Sequence, residues 1–308
     1  MHLQVRDLAR SLVFYRDLLG LEVRPGRDAP GGKNGAASAT GGGVEGGAGD
    51  AAGVGDAAGA GDAAGAGDVV LVTAAGRELV RLRERRDAIP KPRTSTGLYH
   101  FAILVPDRAA LARVYLRLHG AGWAFQGFAD HAVSEALYLA DPDGNGIEIY
   151  CDRPRDRWQT RHGELYMTTA PLDLEGLVAE LGAPAAAGLP AGTVVGHIHL
   201  HVADLVRAEA FYGDILGFEA TARSYPGALF MSAGGYHHHV GLNVWAGAGA
   251  PPPPDNAVGL LDFAIVVPDA DARAAIVERA RRDERPVHDD GAPRITSPDG
   301  LPVVVTAG

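Results

Sequence analysis

Apolar and polar positions follow one grammar that returns four times along the chain. An apolar run ending in Asp or Pro-Asp, such as Ile103-Leu-Val-Pro-Asp107, predicts a buried strand leading into a helix whose first turn the Asp caps. An amphipathic stretch follows, in which Leu8, Leu12, Tyr15 and Leu19 recur at helical spacing on one face. Gly20, or Gly217 further along, then stops the helix. Shorter apolar runs predict strands, as in Ala136 to Ala140 and Gly146 to Tyr150, separated by the tight turn Asp141-Pro-Asp-Gly144. One strand, one helix and about three strands make a βαβββ module, which predicts an α+β class rather than a parallel α/β sheet.

The modules are internal repeats. Ten of the eighteen positions from Val5 to Glu22 are identical, without a gap, to those from Val202 to Glu219, at an offset of 197 residues. His100 to Asp107 matches Asp262 to Asp269 at an offset of 162. Four units follow: roughly 1–85, 97–152, 195–246 and 259–306. Between the second and third lies a linker, 153–194, with a short helical stretch near Leu172 to Leu181 and a Pro/Gly/Ala-rich end. The run Pro251-Pro-Pro-Pro254 predicts a stiff exposed loop. From about Gly26 to Asp68 the chain is Gly/Ala-rich and contains three hexapeptides, ending at Asp56, Asp62 and Asp68. Such a segment buries too little apolar area to offset its ordering entropy, so it reads as a flexible insertion in a loop of the first unit.

Composition narrows the function classes. A chain of 308 residues has room for two ordinary domains, and 46% hydrophobic with 21% charged residues is globular usage. A net charge of −10 argues against nucleic acid as a partner. Arg81, Arg83, Arg85 and Arg86 do cluster, but Glu78, Glu84 and Asp87 interleave with them and the run reads as a solvated strand end. Cys151 is the single cysteine, so no intrachain disulfide forms and nothing points to an oxidising compartment. No apolar run approaches the roughly 18–20 residues that span a bilayer, and the first residues lack a secretory pattern, so a cytoplasmic location without membrane attachment is expected.

Two residues of the second unit carry the candidate chemistry. His100 starts its first strand, and Glu148 lies in its last strand between Ile147 and Ile149. First and last strands of a curved module can be neighbours, so imidazole and carboxylate can converge. An unpaired buried carboxylate is costly, and a cation beside it is the expected remedy. Two histidines and one carboxylate leave open positions on an octahedral ion and suit non-haem Fe(II).

His131, Tyr138, the turn Asp141-Pro142-Asp143-Gly144 and Glu148 stand in the order of the extradiol dioxygenase signature. With the tandem modules, they identify the chain as a member of the vicinal oxygen chelate superfamily, which includes glyoxalase I, extradiol dioxygenases and antibiotic-resistance proteins. It is most similar to two-domain catechol 2,3-dioxygenase-like proteins. The resemblance covers nearly the whole chain outside the Gly/Ala insertion. It implies that the four modules pair into two glyoxalase-like domains, 1–152 and 195–308. His100 and Glu148 then resemble metal ligands. His131 resembles the residue that hydrogen-bonds bound substrate or oxygen, and Tyr138 its partner on the catechol oxygen.

The resemblance also implies a third ligand from the first strand of the partner module, five residues before the Val that precedes the helix. His197 and His100 hold that place before Val202 and Val105. In the first unit the place falls at position zero, one residue before Met1. Three expectations stand: the natural start lies upstream, His2 serves instead, or water or a substrate oxygen fills the position. In the second half, Asp262 and Val304 replace the counterparts of His100 and Glu148. His197, His239 and Asp262 form a candidate alternative metal site there, against a degenerate module whose histidines line a pocket.

The resulting expectation is an enzyme of aromatic compound catabolism: an Fe(II)-dependent extradiol dioxygenase taking a small aromatic diol, a catechol or hydroquinone, and O2. A glyoxalase-type isomerase or lyase using Mn, Zn or Ni is the first alternative, and a metal-free aromatic-ligand binding resistance protein the second. Sheet edges in this fold commonly pair, so a homo-oligomer is expected as well.

Overall fold

The computed structural model describes residues 1–25, 67–181, 188–289 and 291–308. The expected Gly/Ala insertion, about 26–68, lies outside the described residues except for Gly67 and Asp68.

The repeated grammar is realised element for element. The first module runs β1 (His2–Val5), α1 (Leu8–Leu12) continued by a π-helical turn (Val13–Leu18), β2 (Glu22–Pro25), β3 (Val69–Val72) and β4 (Glu78–Glu84). The second runs β5 (Gly97–Leu104), α2 (Arg108–Gly120), β6 (Phe125–Asp130), β7 (Ser134–Ala140) and β8 (Gly146–Asp152). The connector holds a hairpin of β9 (Thr160–Arg161) and β10 (Glu164–Leu165), then α3 (Leu174–Ala179). The third module runs β11 (Val194–His201), α4 (Leu205–Ala210) with its π-helical turn (Phe211–Ile215), β12 (Glu219–Ala222), β13 (Ala228–Ser232) and β14 (Val240–Asn243). The fourth runs β15 (Gly259–Val267), α5 (Ala270–Arg282), β16 (Val287–Asp289), β17 (Pro293–Thr296) and β18 (Pro302–Ala307).

The aspartates that close the apolar runs cap the helices as the pattern predicts. Asp7, Asp107, Asp204 and Asp269 each accept a hydrogen bond from a backbone N–H of the first turn. A cap of this kind contributes about 1 kcal/mol, which matters for helices as short as α1 and α4.

Among the described residues the modules build two eight-stranded sheets, and their pairing corrects the expected domain division. Domains at 1–152 and 195–308 would put the first and second modules on one sheet and the third and fourth on the other. Instead β5 pairs antiparallel with β11, joining the second module to the third, and β1 pairs antiparallel with β15, joining the first to the fourth. Four first strands of like pattern offer four interchangeable edges, so nearness in sequence does not choose among them. The first module meets the second, and the third meets the fourth, through side chains of helices and turns instead. The Phe14 ring sits 4.7 Å from Trp123, and Tyr15 Oη donates to Asp141 Oδ2 at 2.9 Å. Arg117 donates to the Leu19 carbonyl at 2.7 Å, and Arg279, its repeat counterpart, to the Ile215 carbonyl at 2.8 Å. One apolar core, including Leu3, Phe101, Ile198, Leu200, Phe263 and Val303, runs through both sheets. No helix among the described residues is long and apolar enough to cross a membrane.

Candidate metal centre

Strand register assembles the site on one face of the sheet shared by the second and third modules. Tyr138 stands opposite Glu148, Glu148 opposite Ala102, and Ala102 opposite His197, so a single transverse row crosses four strands. His100 and His199 are also opposite one another, two residues along from Ala102 and His197, and so rise from the same face. Ala102 at the centre of the row has only a methyl group, which leaves the larger side chains room to converge. Close approach is built into the neighbouring position too: a Cβ on Gly146, opposite His100, would lie 2.1 Å from the Tyr99 carbonyl oxygen.

His100 Nε2 and His197 Nε2 lie 3.1 and 3.2 Å from Glu148 Oε2, and one ligand atom from each residue falls within 4.8 Å of the others. All three side chains are buried. Burial alone would raise the Glu148 carboxyl, but the two imidazoles against it hold it well below the ordinary carboxylate range. Burial pushes the His197 imidazole down to about 4 against the pull of Glu148. At neutral pH the cluster thus presents an ionised carboxylate and a neutral His197.

That state fits a divalent cation. An ionised carboxylate in apolar surroundings is costly without a positive partner. His100 Nε2 is buried and, despite its short distance to Glu148, makes no hydrogen bond of acceptable direction. Two nitrogen donors and one carboxylate oxygen occupy three positions of an octahedral ion and leave the rest for substrate. Among the described residues this is the cluster of metal-ligating type, and His197 is the third member that sequence reasoning sought at position zero and at His2.

Beside the cluster, His131 and Tyr138 are in contact. His131 Nδ1 lies 2.6 Å from the Thr168 carbonyl, which only accepts, so Nδ1 carries the proton and donates. His131 Nε2 is then the acceptor for the Tyr138 hydroxyl at 2.7 Å. Burial, with the Glu148 carboxylate adjacent, pushes the Tyr138 hydroxyl well above its usual value and keeps it a donor. The following residue, Ala132, is held at a φ of 66°, where Asp130 Oδ1 accepts from its backbone N–H at 2.9 Å. A non-glycine residue there costs about 1–3 kcal/mol, and such strain concentrates where a side chain must be aimed.

A cavity of about 370 Å³ opens on this face and is lined by His100, Glu148, His131 and Tyr138. It lies within the roughly 300–1,000 Å³ usual for small-molecule sites. His199 and His238 line it as well. The His238 ring lies 4.1 Å from that of His197, and burial holds its imidazole well below the usual value. Asp152 accepts from His237 Nε2 at 3.1 Å, which leaves His237 Nδ1 to accept from His238 Nδ1 at 2.8 Å. His238 Nε2 is thereby left as a free acceptor. The His199 ring sits 5.1 Å from that of His100, and its Nε2 has no partner. Sequence reasoning missed both residues. The repeat offset pointed to His199 through His2, and the Tyr236-His-His-His239 tract contained His238.

The remaining sequence candidates lie elsewhere. His2 is in the other sheet, bonded through Nδ1 to Asp262 Oδ2 at 2.9 Å and 3.3 Å from Asp68 through Nε2. Asp68, the last residue of the Gly/Ala segment, also accepts from Arg83 at 2.8 and 3.0 Å. His239 turns its Nδ1 to the Ala233 N–H at 3.2 Å. The alternative site of His197, His239 and Asp262 is therefore not assembled: His197 joins Glu148, and Asp262 joins His2. The reason is again the pairing, which sets β11 against β5 and leaves β15 to β1.

The model of the Glyoxalase/Bleomycin resistance protein/Dioxygenase superfamily matches residues 1–149 and 194–305. The chain is 53% identical over 215 residues to a catechol-2,3-dioxygenase of Bacillus subtilis (strain 168), covering 68% of this chain and 75% of that protein. It is 35% identical over 77 residues to biphenyl-2,3-diol 1,2-dioxygenase 3 of Rhodococcus globerulus, covering 24% and 40%. Among solved structures, glyoxalase I from Zea mays superposes with a TM-score of 0.52 at 15% identity, over 99% of this chain and 90% of that one.

Proposed function

This chain belongs to the glyoxalase/bleomycin resistance protein/dioxygenase superfamily, and from that premise we propose that it is an Fe(II)-dependent extradiol dioxygenase that opens the ring of a catechol or hydroquinone. The observation that carries the reading is the buried cluster of His100, His197 and Glu148. It stands in a chain 53% identical to a protein named for that reaction. The likeness to glyoxalase I, at 15% identity, speaks to fold alone.

The two imidazoles and the carboxylate would hold the iron. When bound, it supplies chelation of both vicinal oxygens of a catechol, or binding of one oxygen of a hydroquinone, and a site for O2 beside the ring. The chain's own groups do the rest. Glu148 contributes one negative charge, and the two histidines contribute neutral nitrogens, which favours a divalent ion. His131 Nε2, fixed as a base by its Nδ1 bond to Thr168, takes a proton relayed through the Tyr138 hydroxyl as the diol ionises. His238, with its Nδ1 committed to His237, offers a second neutral nitrogen in the cavity wall. Both atoms of O2 enter the product, the ring opens beside the diol, and a muconic semialdehyde results.

Oxygen uptake tests this directly. Protein loaded with Fe(II) should consume one O2 per catechol and yield a yellow ring-fission product. Turnover with Ni²⁺, Zn²⁺ or Mn²⁺ on a hemithioacetal without oxygen consumption would instead favour an isomerase and sink the dioxygenase reading.

A further inference from the structure

A second cavity, of about 600 Å³, opens where the third module meets the fourth, and it too lies within the usual range for small molecules. Its wall is mostly apolar, with Leu216, Phe218, Val240, Phe263, Ile265 and Ile276, and its described lining residues include no Asp or Glu. Arg279 of α5 brings a positive charge to this wall. Its Nε donates to the Ile215 carbonyl at 2.8 Å, and among the described residues no carboxylate pairs with the guanidinium. The acids nearest in sequence are committed to other partners, Glu278 to Arg282 and Asp283 to Arg285. His239 lines the same cavity and adds a neutral donor. Its Nδ1 accepts from the Ala233 N–H at 3.2 Å, so the ring proton sits on Nε2.

The internal repeat shows what such a place takes. Arg117 is the counterpart of Arg279, Leu19 and Gly20 of Leu216 and Gly217, and Phe101 and Ile103 of Phe263 and Ile265. At that first junction the chain covers the place with its own apolar segment. Gly188 of the connector packs so closely on Gly20 that a Cβ there would overlap its Cα. Leu189 is buried, its N–H donates to the Gly20 carbonyl at 3.4 Å, and β11 pairs with Ile103 and Leu104. At the second junction β1 pairs with β15 at Gly259, Leu260 and Asp262, so Ile265 and Val266 border the cavity and Val266 is 70% exposed. The wall therefore suits an apolar body, and the guanidinium suits an anion at one end of it.

We propose that this cavity is a second ligand site, for an amphiphilic carboxylate of the medium-chain fatty acid class. The alkyl chain lies on the apolar wall, and the carboxylate accepts from Arg279, with His239 Nε2 as a further donor. The ligand sits behind Val195 to Ile198, a stretch that lines the cavity and carries the metal-cluster residue His197. Neither Arg279 nor His239 belongs to the metal cluster or lines the cavity over it, so binding here stands apart from the ring-cleavage reading.

Octanoate is the probe, titrated by calorimetry into the whole metal-loaded protein, with butanoate and 1-octanol beside it. Each methylene from butanoate to octanoate should tighten binding about fourfold, the gain from one buried CH₂. Octanoate should bind at least about tenfold more tightly than 1-octanol, through a charge pair in a partly desolvated wall. Arg279→Met should erase that preference and Arg279→Lys should keep part of it, with metal content unchanged in both. Val266→Trp puts a bulky ring at the rim and should weaken octanoate by about tenfold or more. Because Val266 is exposed, this variant leaves the core intact and makes the test should Arg279→Met fail to fold. Equal affinity for octanoate and 1-octanol, or an octanoate affinity unchanged in either variant, overturns the proposal. Competition between octanoate and catechol would place the carboxylate in the metal cavity and overturn it as well. Binding of a synthetic peptide of residues 188–198 without binding of octanoate would give the place to an extended chain segment instead.

Discussion

His197 Nε2 lies 3.2 Å from Glu148 Oε2, on the oxygen that His100 Nε2 approaches at 3.1 Å. One carboxylate oxygen thus gathers imidazoles from two modules, and neither alone makes a three-ligand site. His197→Ala and His100→Ala should each weaken metal binding by at least about a hundredfold, more than removal of an outer-shell partner costs. His2→Ala should leave metal content unchanged, because its ring is bonded to Asp262 in the other sheet. Metal content after dialysis against a mild chelator reads the difference. Stoichiometric metal in His197→Ala would remove it from the ligand set.

His131 accepts from the Tyr138 hydroxyl and neither residue belongs to the three-residue cluster, so their loss should separate chemistry from metal binding. His131→Asn is expected to lower kcat by about 10²–10⁴, the usual contribution of a positioned acid or base. Tyr138→Phe removes the donor to His131 and should lower kcat in the same direction with metal content intact. Steady-state kinetics beside metal analysis decides. A His131→Asn variant with full kcat would leave the residue a structural bond to Thr168.

Cys151 is buried in β8, and burial, with Glu135 and Asp152 nearby, pushes its thiol up to about 12. The thiolate is the reactive form, so its population in the folded protein stays negligible below that pH and rises only as the pH approaches it. Iodoacetamide at pH 8 should leave native protein unlabelled over hours and label denatured protein within minutes, as read by intact mass. Fast labelling of the native protein would mean that β8 opens readily.

Tyr15 Oη and Asn145 Nδ2 both donate to Asp141 Oδ2, while the backbone N–H groups of Asp143 and Asn145 donate to Oδ1. The carboxyl is buried, and burial pushes it above its ordinary value, so its bonds decide whether it is tolerated. Tyr15→Phe keeps the ring packed and removes one of these bonds. It should cost about 1.5–3 kcal/mol in urea unfolding, the range for a bond to a charged group, with metal content unchanged. A loss below about 0.5 kcal/mol would show that the remaining donors suffice.

The module was legible because its signals are local. Strand, capping Asp, amphipathic helix and stopping Gly lie within about twenty residues, and the Glu148 strand declared itself by one carboxylate among isoleucines. His100, His131, Tyr138 and Glu148 fall in one module and were found together. Which modules pair was not legible, because β1, β5, β11 and β15 share one pattern and the choice is made by packing across the sheets. That single uncertainty displaced the third ligand to position zero and His2, grouped His239 with Asp262, and hid His199 and His238.

The same pairing sets a test of the architecture that the site residues cannot make. A fragment of residues 1–152 contains two complete βαβββ modules, yet in the intact fold its β1 and β5 pair with β15 and β11, not with each other. Cut there, the fragment presents two half-sheets with long unpaired central edges, a template for aggregation. Its Glu148 also loses His197. The 1–152 fragment should aggregate or remain unfolded and bind no metal. Co-expression with a 153–308 fragment should restore both sheets and the full ligand set, because the cut falls between β8 and β9 and leaves every strand of both sheets whole. Size exclusion, circular dichroism and metal content on the separate and combined fragments distinguish the outcomes. A folded, monomeric, metal-loaded 1–152 fragment would mean that β5 has a partner other than β11.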